Sequence, residues 1–340
     1  MKVYKIGAKQ YRLPNQLSDF QLALYIHLID WKWANLTEEA GMERGKFYDA
    51  VLPVEMKKQR HPVYQPVVPH LLEHKKRFPF KDHKFIGHMA SSQAACINLF
   101  LPLMEHPQLA AQILRAARPD LESIATDHLD GGFRIEFWDE PDNMLGDHND
   151  STGTDADFAI AYHDQQGDLC LWLIEHKLSE TEFTTCGGYK SKGRTEVHHC
   201  RPASAVLDNP GLCYYHSKCG YRYWEVTLKT PGLFDLEQIR KTDDCSFMGG
   251  MNQLWRNQLL ATSIEKSNSP SWPYKKVFFS VVHHPKNNSL QPSMLAFQAL
   301  LNDPGKFSTF TSDVLIERAR KIDVPELRPW LDWYQELYYF

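Results

Sequence analysis

The residues best suited to chemistry lie in one stretch, GTDADFAIAYHDQQGDLCLWLIEHKLSETE, which spans 153–182. Asp157 opens the first of two apolar runs, and Glu175-His176-Lys177 closes the second. The polar residues 163–168 between them have turn chemistry, which predicts a hairpin. Side chains alternate faces along a strand. Asp157, Ala159 and Ala161 therefore share one face, as do Leu171, Leu173, Glu175 and Lys177. The hairpin sets Asp157 beside Glu175. Charged groups ending apolar runs are costly to bury unless they are paired or hold an ion. Two carboxylates with a Lys alongside suit a hard divalent cation and a phosphate. The bland alternative is a solvated ion pair on a strand face, which is worth little. Asp155 competes with Asp157 under strict alternation, but it precedes the apolar run beside Gly153-Thr154, where a loop or capping role is expected.

The surrounding pattern predicts the elements that position these groups. An amphipathic stretch covers 17–33. Residues 56–84 are rich in Pro and basic residues and read as an irregular arm. Ser91-Ser92-Gln93 opens a helix whose apolar side includes Ala94, Ala95, Ile97, Leu99, Phe100 and Leu103, with Ser91 or Ser92 as its cap. A second helix follows Pro107. Gly131-Gly132 leads into an alternating strand, 133–138, with Glu136 on the face opposite Ile135 and Phe137. Beyond the hairpin, Gly249-Gly250 precedes a helix over 251–266, on which Gln253, Arg256 and Asn257 fall at i, i+3 and i+4 and form one polar face. Another buried strand covers 275–283, a helix covers 290–301, and two more helices follow over 314–322 and 325–339. Without insertions the order is helix, strand, strand, strand, helix, strand, which is an α/β layout with a mixed sheet.

The chain has 340 residues, 43% of them hydrophobic, enough for a substantial core. Its net charge is −4, so no global basic signal points to nucleic acid. The charge is nevertheless segregated. Residues 120–182 hold 17 acids against Arg134 and Lys177, while 56–84 hold eight Lys or Arg against two acids, and 186–229 seven against three. An acidic centre between basic flanks suits a cation site inside a polyanion-binding groove. Lys57, Lys58, Arg60, Lys75, Lys76 and Arg77 are the candidate contacts to backbone phosphate, with Arg256 on the later helix. The N-terminal residues lack the apolar run of a signal peptide, and no run is long enough to span a membrane. Seven cysteines, an odd number, fit a reducing cytoplasm.

The order of elements, with Asp157…Glu175-x-Lys177, resembles the PD-(D/E)XK nucleases of the restriction-endonuclease-like fold over about residues 85–300. The Ser-Ser-Gln helix (SSQAACINLF), the Gly-Thr-x-x-Asp lead into the second strand and the NQLWRNQLLA helix resemble one bacterial branch of that superfamily. Ala156 stands where the superfamily name has Pro. The resemblance implies a mixed sheet flanked by helices in a core over 85–300; the residue pattern adds a basic N-terminal extension over 1–84, a Cys-rich insertion over 183–248 and a C-terminal helical extension over 301–340. It further implies a metal-dependent endonuclease acting on nucleic acid, DNA first, in defence, restriction or repair. Asp157, Glu175 and the backbone carbonyl of His176 would bind Mg²⁺ or Mn²⁺. Lys177 would orient the attacking water or stabilise the phosphorane. The resemblance adds Gln253 to the site, beside Glu136 as an auxiliary acid.

Cys186, Cys200, Cys213 and Cys219 crowd one segment that lacks apolar periodicity, with His198, His199 and His216 between them and Cys245 in reserve. No Cys-x-x-Cys pair is present, yet the density points to a structural Zn²⁺, with an Fe–S cluster as second choice and ordinary thiols as the bland reading. Cys96 and Cys170 read as core residues. The alternative function is a degenerate nucleic-acid-binding or interaction module built around a metal staple.

Overall fold

The computed structural model describes residues 1–149, 152–190 and 200–340. His198 and His199 lie outside the described residues. Two small antiparallel hairpins stand near the N-terminus, β1 (Lys2–Ile6) with β2 (Lys9–Leu13) and β3 (Gly41–Glu43) with β4 (Lys46–Tyr48). The main sheet is built from β5 (Leu121–Ile124), β6 (Phe133–Phe137), β7 (Ala156–Asp164), β8 (Leu169–Lys177), β9 (Lys276–His283) and β10 (Phe307–Thr311). Its order is β10-β9-β8-β7-β5, with β6 also on β7. β8, β9 and β10 run parallel, whereas β5, β6 and β8 are antiparallel to β7. The sheet is therefore mixed and has helices on both faces, the restriction-endonuclease-like α/β class expected.

The central hairpin forms where the sequence pattern puts it. The Asp164 carboxylate accepts the backbone N–H groups of Gln166 and Asp168, both at 2.9 Å, and Gly167 supplies the positive φ of 79° that closes the turn. β7 and β8 are buried on both faces, as strands covered by helices on each side must be. One face, with Phe158, Ile160, Tyr162, Cys170, Trp172 and Ile174, packs in the larger core cluster. That cluster includes helices α1 (Asp19–Asn35), α2 (Val68–Arg77), α3 (Ser92–Met104) and α4 (Pro107–Leu114). The opposite face, with Ala159, Ala161, Leu171 and Leu173, belongs to a second core cluster that also holds Leu254, Leu259 and Leu260 of helix α5 (Met251–Glu265).

Three features depart from the sequence reading. The stretch 56–84 is not an irregular arm, because α2 forms in it with Pro69 in the first turn, where a missing N–H costs nothing. α2 buries Leu71 and His74. The Cys-rich segment has an apolar base of its own in Val206, Leu207, Trp224, Phe234, Ile239 and Phe247, carried on short helices whose pieces are too brief to show a period. The C-terminal segment contributes the parallel edge strand β10, ahead of helices α6 (Ser312–Ile322) and α7 (Arg328–Tyr338). Both helices pack on the larger core through Leu315, Ile316, Trp330 and Tyr334. Among the described residues no helix is long and apolar enough to cross a membrane.

Phe158 is stacked between Phe100 of α3, at a ring-centroid distance of 5.0 Å, and Phe133 of β6, at 5.4 Å. Phe158→Ala is expected to cost about 3–5 kcal/mol of stability. Gln166→Ala in the turn, whose side chain faces solvent, should stay within about 0.5 kcal/mol. Urea unfolding of both variants measures the difference, and a loss below about 1 kcal/mol for Phe158→Ala would remove this stack as the link between α3 and the sheet.

Candidate active site

The ends of β6, β7 and β8 open into one cavity of about 920 Å³ lined by Glu136, Asp155, Asp157, Glu175, His176, Lys177 and Gln253, among others. Asp157 and Glu175 face each other by continuation of the β7–β8 register, in which Phe158 pairs with Ile174. The His176 backbone N–H donates to Asp157 Oδ2 at 2.6 Å. Glu175 is 3% exposed and fully engaged. Its Oε1 accepts from Lys177 Nζ at 2.8 Å and from Gln253 Nε2 at 2.8 Å, and its Oε2 accepts from Asn257 Nδ2 at 2.9 Å. Gln253 and Asn257 stand one turn apart on α5, so the predicted polar face is split. Its i and i+4 members grip Glu175, whereas Arg256 points away from the cavity.

Arg256 donates to the Gly153 carbonyl at 3.2 Å and to Thr154 Oγ1 at 3.4 Å, and its guanidinium stands 3.9 Å from Asp147. It ties down the loop before β7, a use the helical wheel could not reveal. Asp155 pairs with His148 Nε2 at 2.5 Å, and the Trp138 ring stacks on His148 at a centroid distance of 3.8 Å. A loop role fits that pairing, but Asp155 also reaches the cavity wall.

Helix α3 gives three consecutive residues three tasks. Ser91 caps it, its hydroxyl accepting the Ala94 N–H at 3.2 Å. Ser92 Oγ donates to the His176 carbonyl at 2.6 Å and accepts from the Leu178 N–H at 3.2 Å. Gln93 Nε2 donates to Glu136 Oε1 at 2.7 Å. Ser92, Gln93 and Asn257 were not among the expected site residues. Their signal was the Ser-Ser-Gln and Gln-x-x-x-Asn spacing, which becomes informative only when the sheet lies beside both helices.

Glu136 does not lie where strict alternation puts it. It adopts φ 51°, in the left-handed region that a side chain bearing a Cβ disfavours. Ile135 therefore faces the larger core and Phe137 the other, rather than sharing a face. This local strain, worth about 1–3 kcal/mol, turns the Glu136 carboxyl into the cavity. Burial pushes that carboxyl up to about 8, with Asp155 and Glu175 adding and the Gln93 N–H and Lys177 opposing. Burial likewise pushes Asp157 well above the usual carboxylate range, and the charges of Glu175 and Glu136 push the same way. Burial works against the charge of Lys177, but Glu175, Glu180 and Asp157 outweigh it and raise its pKa. Burial holds the His176 imidazole neutral, down to about 3.

Oxygen donors crowded in this way fit a hard divalent cation, since a cation would relieve the mutual repulsion that Lys177 offsets only in part. The His176 carbonyl keeps a second lone pair beyond the Ser92 bond. Among the described residues no three His, Cys, Asp or Glu side chains stand in a ready-made ion-holding arrangement.

None of Lys57, Lys58, Arg60, Lys75, Lys76 and Arg77 lines the cavity itself. Lys58 pairs with Glu55 at 2.8 Å, Arg60 and Lys75 both with Asp82 at 2.5 Å, and Lys76 with Glu73 at 3.5 Å. Arg77 pairs with Asp130, and Lys57 runs its stem across Gly87. The basic residues on the cavity wall are Lys81, Lys84 and Lys177. Of the cysteines, Cys219 is exposed, while Cys186, Cys200 and Cys213 share a small pocket with Cys245.

A mixed sheet with helices on both faces is the architecture of a restriction-endonuclease-like domain. The chain belongs to the family REase-ARP, Restriction Endonuclease associating with ARP, whose family model matches residues 27–338. No curated protein and no solved structure matches the chain significantly.

The Glu136 shift has a sign that can be measured. A carboxyl raised from 4.5 to about 8 on folding binds its proton more tightly in the native state. Its contribution to stability is full below pH 4.5 and is lost as pH rises to about 8. Glu136→Gln, followed by urea unfolding at a series of pH values with chelator present, is expected to flatten that fall. A variant that loses stability in parallel with the parent between pH 5 and 8 would show that Glu136 is not the titrating group.

Proposed function

We propose that the protein is a metal-dependent nuclease of the PD-(D/E)XK type that hydrolyses phosphodiester bonds, with DNA as the first substrate, in defence, restriction or repair. The observation that carries this reading is the grip on Glu175. A buried carboxylate is held by Lys177, Gln253 and Asn257 with its neighbour Asp157 in one open cavity. A solvated surface ion pair has no need of such a shell.

Asp157, Glu175 and the main-chain carbonyl of His176 would hold Mg²⁺ or Mn²⁺. When bound, the ion supplies a more basic water and neutralises charge on the phosphate. The protein supplies the rest. Lys177, tethered to Glu175 at 2.8 Å on the cavity wall, would use its remaining N–H donors on the attacking water or a phosphate oxygen. Ser92 fixes the His176 carbonyl and so the orientation of that strand end. Glu136 retains its proton near neutral pH and is a hydrogen-bond donor beside Asp157. Gln253 and Asn257 hold Glu175 in one rotamer, which limits reorganisation during reaction.

Lys81 and Lys84 on the cavity wall are the nearest candidates for backbone phosphate, with the exposed Lys58 and Lys76 farther out along the basic segment. Contacts of this kind attract any sequence alike.

With Mg²⁺ or Mn²⁺, purified protein is expected to cleave plasmid or oligonucleotide DNA. Glu175→Ala and Lys177→Ala should each lower the rate by about 10²–10⁴-fold while leaving DNA retention in a gel-shift assay. Cleavage that persists in Glu175→Ala, or that needs no divalent ion, would refute the assignment. Changing Lys81 and Lys84 together to Ala should weaken binding to unrelated sequences equally and flatten the dependence on log salt by about one unit per lost contact. A loss restricted to one sequence would exclude a phosphate role for the pair.

A further inference from the structure

Four cysteines from four separate segments converge on one small pocket. Cys186 follows the exit of β8, Cys200 precedes the helix Ala203–Asp208, Cys213 caps the helix Tyr214–Ser217, and Cys245 lies in the loop before α5. The pocket has room for about one water-sized sphere and is otherwise walled by side chains that include Trp224, Phe247 and Trp255. None of the seven cysteines forms a disulfide. Cys219, close in sequence, is exposed and does not line this pocket.

The backbone around the thiols supports charge on sulfur. The Tyr189 N–H points at Cys186 Sγ at 3.4 Å, joined by that of Gly188. The N–H groups of Tyr215 and His216 point at Cys213, and that of Phe247 at Cys245. In each case the donor sits two or three residues after the cysteine, so a tight turn wraps its amides around the sulfur. A neutral thiol is a weak acceptor that needs no such donors, whereas a thiolate does. Burial and the neighbouring sulfurs make an isolated thiolate unfavourable here, as the raised pKa of Cys245 and Cys186 reflects. A cation among the four resolves the conflict between amides that favour charge and surroundings that resist it.

We propose that Cys186, Cys200, Cys213 and Cys245 form a tetrathiolate site for a single thiophilic cation, Zn²⁺, and that Cys219 is not a ligand. The one-atom size of the pocket argues for an ion rather than an iron–sulfur cube. The side chains must rotate inward to reach Zn–S bonds of about 2.3 Å, since they do not already stand in ion-holding geometry. On binding, the four thiols release their protons to solvent, and the sulfur lone pairs form the bonds to zinc. Arg201, beside Cys200, lies close to the negative charge that results.

The site would act on the cavity through a short route. Cys186 N–H donates to the Met248 carbonyl at 3.1 Å, so the β8 exit and the approach to α5 are already joined. Two residues earlier, Thr184 exchanges bonds with Gln253: its N–H reaches Gln253 Oε1 at 3.1 Å, and its carbonyl accepts the Gln253 N–H at 3.2 Å. Gln253 holds Glu175. Because Val206, Trp224 and Phe247 already give the segment an apolar base, the ion is a positioning device for this chain rather than the sole source of its folding.

Metal content can be measured independently of any nuclease activity. Full-length protein purified without chelator is expected to carry stoichiometric zinc by elemental analysis. X-ray absorption at the zinc edge should give four sulfurs at about 2.3 Å. Cys245→Ser should lose zinc and Cys219→Ser should retain it. Zinc lost from Cys219→Ser, iron with labile sulfide in place of zinc, a shell with two or more nitrogen or oxygen neighbours, or protein without metal would each overturn the proposal. If Cys245→Ser does not fold, the absorption spectrum of the parent and the zinc content of Cys219→Ser still decide it.

Discussion

The structure is organised by the need to keep one carboxylate charged in a place water barely reaches. Glu175 ends a strand buried on both faces, so its charge must be met by protein. Lys177 supplies the countercharge, two residues along the same strand. Two amides from α5 supply the remaining hydrogen bonds. Those bonds tie α5 to the end of β8. The large aromatics of the second core then fill the far side of α5, where Trp255 stacks on Phe247 at a centroid distance of 4.3 Å.

The strand end that carries the site is clamped from several directions. The Lys177 carbonyl accepts the His284 N–H at 3.2 Å, and Asn287 Nδ2 reaches the Glu180 carbonyl at 2.8 Å. Gln21 of α1 reaches the Ser179 carbonyl at 2.9 Å. In the same core, Asn98 of α3 bonds the Tyr338 hydroxyl at 2.8 Å, and Trp330 donates to the Asn98 carbonyl at 2.7 Å. Both terminal segments therefore press on the elements that bear the site. A charged constellation held within fractions of an ångström needs such support, because side chains left to themselves sample several rotamers.

Crowding of like charge is the second constraint. Charging Glu136 or Asp157 beside Glu175 sets like charges against one another, and Lys177 offsets only part of that repulsion. The backbone of Glu136 is held in a costly conformation to join them, and Gln93 secures it there. Strain and repulsion at one point of an otherwise well-packed sheet are what a binding site costs the fold, and the surrounding core supplies the stability that tolerates them.

Local patterns determined much of this. The hairpin was legible because Asp164, Gly167 and Asp168 are turn residues between two apolar runs, and period-two alternation placed Asp157 with Glu175 and Lys177. The helices carrying Ser91 and Gln253 were legible from caps and periodicity. The strands β5 and β10 were not, because each is four or five residues long and draws its stability from neighbours distant in sequence. Helix α2 was hidden by Pro69 in its first turn and Pro66 just ahead of it. Arg256 and Asn257 lie one residue apart on the same helix, yet one secures a loop and the other grips Glu175, and only the sheet packed beside them separates those tasks. The same holds for Cys219 and Cys245: spacing along the chain favoured the first, but a thiol's partners are set by where the chain folds back. The sequence determined which groups carry charge and which strands and helices hold them. The tertiary structure decided which of those groups meet, since burial and hydrogen-bond partners are properties of the packed chain and not of any segment alone.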